Sequence, residues 1–163
     1  MLLADERTFG IDDGLGLGYA EQLVVWAWRR MVAGHGDCPV LMREFAAACG
    51  ENGPEVLATL AVFLQILARA SRRRLVVGPP VCLALTADER QVLTLLAAAQ
   101  AGHCAAFDAH LGWLARRETR PALSIGARAL ANAFADHELE LPLPAMPDRR
   151  TRAGPPNLVG TGQ

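Results

Sequence analysis

PEVLATLAVFLQILARA, residues 54 to 70, is apolar around far more than half of a helical circumference. At about 100° per residue, Val56, Leu57, Leu60, Phe63, Leu64 and Leu67 form one broad side, and Glu55, Gln65, Arg69 and Arg72 fill a narrow polar strip. Such a helix needs neighbours on most sides, so it is expected at the centre of an all-α domain. The rest of the chain supplies those neighbours.

Before it, a helix is expected from about Tyr19 to Ala33, stopped by Gly34, with Leu23, Val24, Ala27, Trp28 and Met31 on its core face. A second runs from about Pro39 to Cys49, with Asp37 as N-cap and Pro39 in the first turn. After it, Thr86-Ala-Asp-Glu89 is a capping box that opens a helix burying Val92, Leu95, Leu96 and Ala99 and closed by Gly102. A fifth helix, from about His103 to Arg117, buries Phe107, Leu111 and Leu114. A sixth, from about Pro121 to His137, pairs Leu123, Leu130 and Phe134 with a series of small residues. Residues 74–85 carry two short aliphatic runs around Gly78-Pro79-Pro80, which favour an extended, β-like crossover over a tight hairpin. The expectation is a compact bundle of about six helices over residues 18–141, with a flexible arm at 1–17 and a Pro-rich disordered tail at 142–163.

The 163 residues are 52% hydrophobic and 20% charged, enough for one domain with a real core. All 16 basic residues are arginine, a bias that fits a GC-rich bacterial genome, and the formal net charge of −1 gives no global field to steer the chain onto nucleic acid. Asp5 and Glu6 stand where a signal peptide carries its apolar segment, and Val56–Ala68 is broken by Thr59 and Gln65 and falls short of the roughly 20 residues needed to cross a bilayer. A cytoplasmic protein is expected. Cys38, Cys49, Cys82 and Cys104, spaced 11, 33 and 22 positions apart, then read as free thiols.

No catalytic signature stands out: Ser71 and Ser124 lie outside any G-x-S-x-G setting, and Gly14-Leu-Gly16-Leu-Gly18 lacks the preceding strand of a phosphate loop. Metal or thiol chemistry would fall to His35, Cys38, His103 and Cys104, but only His35-x-x-Cys38 approaches ligand spacing. No cofactor is implied. Trp26 projects off its core face between Arg29 and Arg30, and Trp113 lies off the Phe107, Leu111 and Leu114 arc. Each tryptophan is either packed on neighbouring side chains or an anchor for a partner. Trp26, Arg29, Arg30 and Trp113 are therefore the candidate partner-binding residues of a non-catalytic protein acting by association, with a protein partner or as a homo-oligomer, and with no membrane.

The run Leu85 to Ala97, LTADERQVLTLLA, resembles the opening helix of LuxR-type and sigma-like helix-turn-helix domains. That resemblance implies a DNA-binding regulator with a degenerate module over residues 85–120. Its recognition helix should carry polar base-reading side chains, but HCAAFDAHLGWL supplies few, and the basic residues come only at Arg116, Arg117 and Arg120.

Overall fold

A computed structural model describes residues 16–144. The chain is all-α: α1 (Tyr19–Val32), α2 (Pro39–Cys49), α3 (Gly53–Ala70), α4 (Ala87–Gln100), α5 (Cys104–Leu114) and α6 (Arg120–Ala135). A 3-10 turn, Gly50–Asn52, links α2 to α3 without a gap, so the helical runs among the described residues number five rather than about six. The expected arm, 1–17, and tail, 142–163, lie outside the described residues except at 16–17 and 142–144.

The six residues expected on the broad side of α3 are all buried. α2 and α6 pack along α3, and α4 and α5 pack on each other beside α6. Leu41, Phe45, Phe63, Leu96, Phe107, Leu123 and Phe134 join this one core, and each such burial stabilises the fold by about 1.5–3 kcal/mol. The run Pro39–Ala70 is long and apolar enough, by length and composition, to cross a membrane. It is not one continuous helix: at Gly50 the backbone turns to φ +61°, and α3 folds back onto α2. The return is close, for a β-carbon at Gly53 would stand 2.5 Å from the Ala46 nitrogen and 2.6 Å from the Phe45 carbonyl.

Asp37 does not cap α2. Cys38 takes the N-cap position in extended conformation. α5 ends at Leu114, short of the expected Arg117, because the next residues pair with the end of α3. Ser71 and Ala115 form an antiparallel bridge, in which Arg72 N–H donates to Leu114 O at 3.1 Å and Arg116 N–H to Ala70 O at 3.1 Å. Residues 74–85 are an extended crossover with no strand.

Candidate functional site

The crossover is fastened to α1 and α4 by two acids that the capping-box motif brings to the start of α4. Thr86 accepts from Glu89 N–H at 3.1 Å, and the Glu89 carboxylate accepts from Thr86 N–H at 2.8 Å. Glu89 also accepts from Gly78 N–H at 3.0 Å and holds Arg29 in a two-pronged pair at 2.7 and 2.8 Å. Arg29 spends its remaining donors on the carbonyls of Pro79, Cys82 and Ala84. Burial alone would push the Glu89 carboxyl up, but Arg29 and the two backbone N–H groups outweigh it and hold it below its ordinary value. Asp88 does the same work on the other side. It pairs with Arg73 at 2.6 and 2.9 Å and accepts from Val76 N–H at 2.7 Å. The Arg73 hydrogen bond is the main reason its carboxyl stays low.

This arrangement corrects the assignment of Arg29 to a partner surface. Arg29 is buried, and its guanidinium is part of the fold. Trp26 is half-buried against the core, with the Arg30 guanidinium 5.3 Å from its ring centre. Arg30 in turn donates to the Cys38 sulfur at 3.2 Å. Trp113 differs from both: it is 48% exposed, with the Arg73 guanidinium 5.5 Å from its ring.

The Ser71–Ala115 bridge joins two arginine runs that lie about forty residues apart in sequence. Arg72 donates to Ala115 O at 3.1 Å, Arg116 to Arg69 O at 3.0 Å, and Arg120 to Gly112 O at 3.3 Å. Arg72, Arg73, Arg74, Arg116 and Arg117 are exposed there. Arg72 and Arg73 line, with Leu75, Gly112 and Trp113, a hollow of about 400 Å³, and Arg73 and Arg74 line a second of about 600 Å³ walled by Trp28, Val32, Leu64 and Leu67. Arg73 and Leu75 line both. The result is an apolar groove with a cationic rim. Such a surface can receive an anionic group beside an apolar one.

The helix pair of the helix-turn-helix resemblance is present as α4 and α5, joined by Ala101–His103. The exposed positions of α5 are Cys104, Ala105, Asp108, Ala109 and Trp113, so the one charge on that face is negative. Arg116, Arg117 and Arg120 lie beyond its end; Arg116 reaches the last turn of α3, and Arg120 reaches back to Gly112 of α5 itself.

His35, Cys38, His103 and Cys104 are not gathered into one site. Among the described residues no three His, Cys, Asp or Glu side chains stand together as metal ligands. His103 instead caps α5, accepting from Ala106 N–H at 3.3 Å. Sequence reasoning singled out Trp113 and Arg116, Arg117 and Arg120 separately. It missed that Arg72 to Arg74 complete their surface, and only a prediction of the bridge would have revealed it. No protein family matches the chain, and neither a curated protein nor a solved structure matches it.

Proposed function

We propose that this is a non-catalytic bacterial protein of the cytoplasm whose work is association with a protein surface, through the arginine-rimmed groove beside Trp113. The observation that carries the reading is the meeting of Arg72–Arg74 with Arg116 and Arg117 at the Ser71–Ala115 bridge, next to an exposed tryptophan and a hollow that Trp113 lines with Arg72, Arg73, Leu75 and Leu114. Trp and Arg are the side chains in which binding energy concentrates at protein interfaces. Two of these arginines, Arg72 and Arg116, are already oriented by hydrogen bonds to backbone carbonyls, which lowers the entropy lost when a partner binds. Nucleic acid remains the rival, because the same arginines suit phosphate. The apolar floor favours protein.

The test is recovery of the native partner. Wild-type chain and Trp113→Ala, tagged and expressed in the source cells, are isolated and their bound proteins compared by mass spectrometry. The variant should keep its helical circular dichroism and lose at least tenfold of the partner. Equal recovery by both would remove the reading.

A further inference from the structure

We infer that the partner is a second copy of this chain, bound head to tail, with the arginine end of one molecule seated on the carboxylate end of the next. The inference rests on the association reading and names its partner.

α3 and α6 run antiparallel, since Thr119 donates to Ala70 O at 3.0 Å while Gly126, further along α6, lies against Phe63 and Ile66. The start of α6 therefore shares an end of the bundle with Arg72–Arg74, and the end of α6 lies at the other. The first end carries Arg72, Arg73, Arg74, Arg116, Arg117 and Arg120, with Asp88, already paired with Arg73, and Glu118 as acids in the same segments among the described residues. At the other, Asp136 caps α6, and Glu44, Glu138 and Glu140 share a hollow of about 610 Å³. Arg43 and His137 are the groups of opposite character lining it.

Both clusters have the wrong sign for the helix between them. α6 has no acid in its first turn and no base in its last. Helices ordinarily prefer acids at the N-terminus and bases at the C-terminus. Arg72, Arg116 and Arg120 serve the carboxyl ends of α3 and α5, whose carbonyls they hold, but the side chains of Arg74 and Arg117 make none of the described hydrogen bonds. The two clusters cannot neutralise each other within one molecule: the 16 residues of α6 span about 24 Å, beyond two Debye lengths in physiological salt. Between two molecules they meet directly, and the net charge of −1 puts no global repulsion in the way. Such a contact joins two different surfaces, so it closes into a ring or continues as a filament.

The experiment is sedimentation velocity on the full chain over a range of concentrations, in low salt and in about 0.5 M salt, where charge pairing is screened. The wild type should grow beyond the 17.4 kDa monomer in low salt and return to it in high salt. Arg74→Glu/Arg117→Glu and Asp136→Arg/Glu140→Arg reverse exposed charges whose side chains make none of the described hydrogen bonds. Each variant alone should stay monomeric with unchanged circular dichroism. Mixed in equal amounts they should associate again, because each then carries the end the other lost. A wild type that stays monomeric in low salt, variants that associate as it does, or a mixture that stays monomeric would each overturn the inference. If the wild type is monomeric but a different protein co-purifies with it and is lost from Trp113→Ala, self-association falls and the association reading stands. If the monomer instead retains labelled duplex DNA and Arg74→Glu/Arg117→Glu releases it, both fall.

Discussion

Arg29 and Glu89, sixty residues apart in sequence, hold each other at 2.7 and 2.8 Å in the interior of the protein and tie the crossover between α3 and α4 to α1. Removing one partner strands the other charge in a site with almost no water. Glu89→Gln should therefore cost about 3–5 kcal/mol, the range for breaking a buried pair. Arg29→Met should cost at least as much, because it also orphans the carbonyls of Pro79, Cys82 and Ala84. Urea unfolding measures the loss, and hydrogen exchange at Val76, Gly78 and Thr86 locates it. A cost under about 1 kcal/mol would show that the pair does not hold the crossover.

The same acids set how stability depends on pH. Asp88 and Glu89 titrate below their ordinary values in the folded protein, so the unfolded chain takes up their protons first. Their contribution is complete above about pH 4 to 4.5, the ordinary carboxylate values, and is lost as pH falls through the folded-state values. His110 acts earlier. Burial pushes its imidazole down, so stability begins to fall once the unfolded ring protonates, near pH 6.5. Urea midpoints across pH should show two limbs. His110→Gln should flatten the upper one alone, and Asp88→Asn should reduce the lower; a wild-type curve flat from pH 7 to 5 would remove the His110 assignment.

Two glycines separate a rigid contact from a yielding one. At Gly53 a β-carbon would meet the backbone of Phe45 and Ala46 at 2.5–2.6 Å, and backbone cannot turn aside. Gly53→Ala should lower stability by about 3 kcal/mol or more, the upper end of overpacking costs. At Gly126 the nearest atom is the end of the Ile66 side chain at 3.2 Å, which can shift. There the gain in helix propensity, about 1 kcal/mol, offsets the crowding, and Gly126→Ala should fall within about 1 kcal/mol of wild type. Thermal unfolding of the two variants checks the contrast. Equal losses would mean that α2 and α3 are not packed as closely as described.

These contacts show where the sequence was readable. Periodicity located every helix, because burial of one broad face is a local property of 11 to 18 residues. The Thr86 and Glu89 capping box was equally local. That Glu89 also holds Arg29 was hidden, since one carboxylate serving two purposes leaves no extra mark in the spelling. Arg29 was placed on the surface beside Trp26 for the same reason: a helical wheel gives direction but not what a crossover fifty residues on will lay over it. The meeting of Arg72–Arg74 with Arg116 and Arg117 depends on the Ser71–Ala115 bridge, a pairing of single residues with no strand pattern to announce it.

Cys38 carries the last prediction. Its thiol sits at the N-cap of α2, where Val40 N–H and then the Arg30 guanidinium stabilise the thiolate and hold its pKa below the ordinary value. Burial has the opposite effect on Cys49, whose thiol is pushed up. Access alone would put Cys104 first, since it is the exposed cysteine of the four. Thiolate content should reverse that order. With limiting iodoacetamide at pH 7, peptide mapping should find Cys38 alkylated severalfold faster than Cys104, and Cys49 last. Arg30→Met should slow Cys38 severalfold and leave Cys104 unchanged, which separates the guanidinium from the helix end. If Cys104 reacts first, or if Arg30→Met changes nothing, the contact at 3.2 Å does not govern the thiol.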